Sequence, residues 1–140
     1  MKFIKVFSIN ILLLMILSAV GVGQDISQIT FINELDGKSS ATYSDALSMF
    51  RFQAGASNSY MLSGYSDDSK LTKGMVSLMA ARFLNLKQSL MYNIFGIERY
   101  AYRACLADNL FSGDGSENDL ISGSELIELF SRVNEFRSGR

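Results

Sequence analysis

The sequence predicts an all-α protein: two degenerate helix-loop-helix repeats with short extra helices, packed in one small domain. Three observations lead there. The chain of 140 residues has no proline, and its β-branched residues are scattered rather than alternating, so helices are favoured over strands. Apolar residues recur at helical spacing. Finally, two segments fifty residues apart follow one pattern, Leu71-Thr72-Lys73-Gly74-Met75-Val76-Ser77-Leu78-Met79-Ala80-Ala81-Arg82-Phe83 and Ile121-Ser122-Gly123-Ser124-Glu125-Leu126-Ile127-Glu128-Leu129-Phe130-Ser131-Arg132-Val133. Each opens with an aliphatic residue and a hydroxyl residue, and each carries an Arg just before its last apolar position. Val76, Met79, Ala80 and Phe83 correspond to Leu126, Leu129, Phe130 and Val133, the spacing that makes one helix face apolar.

The first element is an export signal over residues 1–23. Lys2 and Lys5 form a short positive region, Ile11 to Leu17 is unbroken apolar sequence, and small residues follow at Ala19, Gly21 and Gly23. This layout predicts cleavage after Gly21 or Gly23 and a periplasmic, cell-surface or secreted product. The alternative is an uncleaved membrane anchor, for which the 18 residues from Val6 to Gly23, including Ser8 and Asn10, are marginal in length and polarity. Residues 24–41 then form an N-terminal helix and linker. Ile29 and Ile32 share one face of a helix over 26–35, Asp36-Gly37 stops it, and 38–41 is a small polar connection.

The repeat domain spans 42–136. Its first helix starts at Thr42, with Asp45 three residues on as a capping box. Tyr43, Ala46, Leu47 and Phe50 form its apolar stripe, and Gly55 ends it. The loop over 56–70 is polar, but Tyr60, Met61, Leu62 and Tyr65 tuck it against the core. A second helix follows Thr72 and runs to about Leu84. Residues 85–95 form a short helix with Leu90, Met91, Ile94 and Phe95 apolar, Gly96 interrupts, and a longer helix covers 97–110. After a turn-rich loop over 111–120, the last helix runs from Gly123 to about Glu135. Ser122 is its N-cap and Glu125 its third residue, a second capping box. The tail, 137–140, is expected to fray.

Composition narrows the function. Without Lys2 and Lys5 the chain carries 11 basic against 14 acidic residues, which gives no footprint for nucleic acid. The one cysteine, Cys105, lies among Ala101, Ala104 and Leu106 in a helical pattern and reads as a small buried thiol; an intermolecular disulfide is the alternative. With no histidine, the usual base for a Ser or Cys nucleophile is missing, and carboxylates with one thiol make a poor zinc set. The expectation is a non-catalytic protein without a cofactor.

Taken as units, the repeats run from Tyr43 to Leu84 and from Ile97 to Val133. They resemble the S-layer homology family, whose repeats carry a helix, a loop ending in an I-T-R-A-E-like motif, and a second helix with a late Arg. The motif stands here as Leu71-Thr72-Lys73-Gly74-Met75 and Ile121-Ser122-Gly123-Ser124-Glu125, with Arg82 and Arg132 as the late arginines. The resemblance implies a module docking to cell-wall polysaccharide, with Lys73, Thr72, Arg82 and Arg132 as the ligand-binding residues. In the family the third motif position is a cation that helps to bind an acidic sugar; Lys73 keeps it and Gly123 does not. The motif Glu is kept at Glu125 and replaced at Met75. The family arranges three repeats around an axis, and two are legible here. At a helix start, Lys73 opposes the helix dipole, and its ammonium together with free backbone N–H groups would favour an anion.

Two alternatives stand beside this reading. One is a small structural subunit that binds another exported envelope protein through an apolar helix face. The other is an EF-hand-like calcium loop, since Asp114, Ser116, Asn118, Ser122 and Glu125 fall at loop positions 1, 3, 5, 9 and 12, with Asp119 in place of the usual Gly at position 6.

Overall fold

A computed structural model describes residues 22–54, 58–86, 96–112 and 115–139. Five helices make up the framework: α1 (Val22–Asp36), α2 (Tyr43–Ala54), α3 (Lys73–Leu84), α4 (Glu98–Ala107) and α5 (Gly123–Ser138). The chain is all-α, with no strand among the described residues. Most of the export signal and most of the predicted helix over 85–95 lie outside the described residues. No described helix is long and apolar enough to cross a membrane.

Three helix ends differ from expectation, the first being that of α1, which starts at Val22 rather than at residue 26. The helix predicted over 97–110 stops at Ala107, because Asn109 takes a left-handed conformation (φ 57°) and the Leu110 N–H folds back onto the Cys105 carbonyl. The last helix does not end near Glu135 but continues to Ser138. The Arg137 guanidinium lies 4.9 Å from the centre of the Phe83 ring, a cation–π contact that ties this last turn to α3.

The architecture closes on a ring of three backbone hydrogen bonds. Leu71 N–H donates to the Ala41 carbonyl (2.9 Å), Ile121 N–H to that of Leu71 (3.1 Å), and Ala41 N–H to that of Ile121 (2.8 Å). All three residues are fully buried. Ala41 therefore stands with Leu71 and Ile121, and Ala41-Thr42-Tyr43-Ser44-Asp45 is a third copy of the motif. Each motif opens a helix, α2, α3 or α5, and the first helical N–H of each is taken by the loop ahead of the next motif. Tyr43 donates to Ser69, Lys73 to Asp119 and Gly123 to Lys38, at 2.8, 2.9 and 3.0 Å. These N–H groups have no partner inside their own helix, so the loops satisfy them.

The core is one continuous cluster. Phe50 sits at its centre, with ring centroids 4.5 Å from Phe130, 5.1 Å from Tyr60 and 5.3 Å from Phe83, so α2, α3, α5 and the loop 58–70 meet on one ring. α3 is buried nearly all round, packed chiefly against α4. α1 packs against α5 and contributes the fully buried Ile32 and Leu35 to the same core. α1 thus shares one core with the helices that follow it.

Candidate functional site

The three motif helices start with hydroxyl caps. Ser122 N–H donates to Glu125 Oε2 (3.1 Å) while Ser122 Oγ accepts from Glu125 N–H (3.2 Å), a complete capping box. Thr42 and Asp45 make the same pair at 2.9 and 3.3 Å, and the buried Asp45 carboxylate also receives Lys38 at 2.8 Å. At Thr72 the hydroxyl accepts from Met75 N–H (3.1 Å), with no return bond because Met75 is a buried apolar residue. Ser122→Ala removes one acceptor at a helix start and is expected to cost about 1 kcal/mol, read as a lower denaturation midpoint. An unchanged midpoint would mean that this cap contributes nothing.

The third position of each motif faces the chain ahead of the next motif. In the first copy Tyr43 fills that space. Its ring is buried, and its hydroxyl donates to the Leu62 carbonyl (3.0 Å) and accepts from Leu62 N–H (2.9 Å). In the third copy the space is occupied by backbone, since a Cβ added at Gly123 would lie 1.7 Å from the Leu35 carbonyl oxygen. At Gly123 the absence of a side chain thus lets the α1 backbone approach α5. In the second copy Lys73 borders an open cleft of about 310 Å³, counting the space open to solvent, lined by Leu110, Phe111, Ser112, Glu125, Glu128 and Leu129. Tyr43 and Gly123 are buried, whereas Lys73 borders this cleft.

The surroundings of Lys73 correct one expectation. The N–H groups at the start of α3 are not free: Lys73 donates to Asp119, Gly74 to Glu117 (2.8 Å) and Met75 to Thr72. An anion at this helix start would meet the ammonium without those amides. The ammonium lies over Gly115, whose missing side chain leaves it room. A Cβ there would sit 2.8 Å from Lys73 Nζ, 3.1 Å from Asp119 Oδ2 and 3.3 Å from the Tyr102 hydroxyl. Among the described residues no carboxylate forms an ion pair with Lys73.

The other candidate ligand residues are placed differently. Thr72 is occupied as a cap. Arg82 donates to the Met61 carbonyl (2.9 Å) and Arg132 to that of Asn109 (3.0 Å), each pinning the loop ahead of its own motif. This duty is shared by the two arginines. Arg132 also pairs with Glu128 at 2.9 Å and so backs the cleft wall, while Arg82 is not among the cleft residues.

Several residues of the calcium-loop pattern are engaged in a turn and a helix cap. Position 6 of such a loop needs a sharp turn that glycine provides, and Asp119 is not among the described residues with positive φ. Its carboxylate instead accepts from Ser116 N–H (2.9 Å), the Ser116 hydroxyl accepts from Asn118 N–H (3.3 Å), and Ser122 and Glu125 are committed to their cap. Asp114 lies outside the described residues. Among the described residues no group of three acidic or thiol side chains could hold a metal ion.

Two groups have displaced acidities. Burial pushes the Cys105 thiol up to about 12, so it stays protonated, with Sγ 3.6 Å from the Ser77 carbonyl oxygen. Tyr65 is also raised to about 12, because its hydroxyl donates to the Glu98 carboxylate and is partly desolvated beside that charge.

Sequence reasoning missed the parts that decide which position stays open: Tyr43, the contact at Gly123, and the cleft residues Leu110, Phe111, Ser112, Glu128 and Leu129. One signal was present. Tyr43 follows Thr42 as Lys73 follows Thr72, and Asp45 follows Thr42 as Glu125 follows Ser122.

Compared with known proteins, the chain matches no protein-family model, no curated protein and no solved structure.

Proposed function

We propose that this protein is an exported, non-catalytic module that docks to a cell-envelope component, with wall polysaccharide as the ligand and the Lys73 cleft as its site. One observation carries the reading. Three copies of the aliphatic-hydroxyl motif close into a ring, and one of their third positions, a cation, borders an open cleft. The S-layer homology family also sets its repeats around an axis and binds through that motif position, so the third copy at Ala41-Thr42 strengthens the resemblance. The half-apolar cleft, with Leu110, Phe111 and Leu129 beside a charged rim, suits the mixed surface of a sugar ring.

The test is a pull-down of the mature chain with purified cell wall. Binding no better than that of an unrelated acidic protein would end the polysaccharide reading. Lys73→Ala is expected to weaken binding several-fold at low salt and less at high salt, as screening removes the charge contribution. Its melting temperature should stay level or rise slightly, because the lysine opposes the helix dipole. Unchanged binding would remove Lys73 from the site. A second reading, docking to another exported protein, is favoured by the exposed apolar side chains Met61, Tyr65, Ile97 and Leu120. Cross-linking in intact cells separates the two.

A further inference from the structure

The charges around the Lys73 cleft do not suit a purely anionic ligand. Glu125 and Glu128 line it, and Asp119 Oδ2 lies beside the Gly115 position over which the Lys73 ammonium sits. Against these three carboxylates stand two cations, Lys73 and Arg132, and Arg132 is already engaged by Glu128 and the Asn109 carbonyl. A polyanion approaching Lys73 would be repelled by the rest of the rim, and the whole chain carries a formal charge of −1. Glu125 has one oxygen committed to the Ser122 N–H, and its second has no partner among the described residues. The cleft thus offers an ammonium and a carboxylate acceptor along one apolar floor of Leu110, Phe111 and Leu129.

From this charge arrangement we propose that the cleft recognises a zwitterionic unit, one bearing a free ammonium and an acid group on a compact, partly apolar frame. The acid group is met by Lys73 and the ammonium by Glu125. The pairing supplies what neither charge achieves alone, attraction without the repulsion that a single-sign ligand would meet. This inference rests on the docking reading and narrows it: the wall component must keep its free amines as well as its acids.

The experiment measures binding of the full chain to three preparations of purified cell wall: untreated, amine-blocked by acetic anhydride, and carboxyl-blocked by carbodiimide with ethanolamine. Each blocking step is expected to weaken wild-type binding at least fivefold. Glu125→Gln keeps a side chain that can accept from the Ser122 N–H, so its melting temperature should change little. It should bind untreated wall as weakly as wild type binds amine-blocked wall, and amine blocking should weaken it no further. Lys73→Ala should show the matching insensitivity to carboxyl blocking. Unchanged or tighter wild-type binding after amine blocking overturns the zwitterion and leaves docking to an acidic or neutral polymer standing. Absence of binding to untreated wall overturns the docking reading and this inference together.

Discussion

Gly123→Ala is expected to be the most damaging single-methyl change in this protein, with a loss of more than about 4 kcal/mol, in the range seen only for severe steric or burial defects. Alanine in a first helical turn would ordinarily gain up to about 1 kcal/mol over glycine. Here the added carbon would lie 1.7 Å from the Leu35 carbonyl oxygen and 2.7 Å from its carbon, both backbone atoms that no rotamer change can move. Relief requires α1 to lift from α5, exposing Ile32 and Leu35 and breaking the Gly123–Lys38 hydrogen bond. Against a total stability of about 5–15 kcal/mol for a domain, that removes a large share of it. Urea denaturation followed by circular dichroism measures it. Gly74→Ala is the internal comparison: its nearest contact, the Glu117 carbonyl oxygen at 2.9 Å, leaves far less to displace, and the loss should be smaller. A Gly123→Ala protein as stable as wild type would mean that α1 does not cross α5 as described.

Phe50→Ala should rank next, at about 3–5 kcal/mol for a buried aromatic truncated to alanine. Phe50 is fully buried and touches three other rings from three different parts of the chain, Tyr60, Phe83 and Phe130. Each ring pair adds about 0.5–1.5 kcal/mol beyond area burial. The cavity would open where α2, α3 and α5 meet, so no single element can collapse into it. Phe50→Leu should recover part of the loss by refilling volume without the ring contacts. A thermal or urea midpoint within about 1 kcal/mol of wild type for Phe50→Ala would show that the aromatic cluster is peripheral to stability.

Much of the fold could be read from residue patterns because helix starts and apolar stripes are local. Thr42, Thr72 and Ser122 announce their helices through side chains that bond three residues away, and the start of α3 follows from Thr72. What escaped was set by distant partners. Ala41 carries no aliphatic bulk, so its equivalence to Leu71 and Ile121 emerges only from the hydrogen bonds that join them. The early end of α4 depends on the left-handed turn at Asn109, and the late end of α5 on Phe83 beneath Arg137. The site was legible to the same degree. Lys73 stood out by its place in the motif, but the reason it matters lies elsewhere: Tyr43 plugs one counterpart and the Leu35 backbone blocks the other. The arginines pin the loop carbonyls of Met61 and Asn109, and a guanidinium that pins a loop leaves the same sequence trace as one that meets a ligand.

The closed cycle through Ala41, Leu71 and Ile121 also limits how this architecture can vary. In a solenoid, each repeat bonds to its neighbours and copies can be added or removed at modest cost. Here every motif donates to one partner and accepts from the other, so deleting one leaves an orphan donor facing an orphan acceptor in a dry interior, a loss of about 1–3 kcal/mol for each unmet group. Adding a fourth has no place to join. Closure thus makes each of the three segments depend on both of the others.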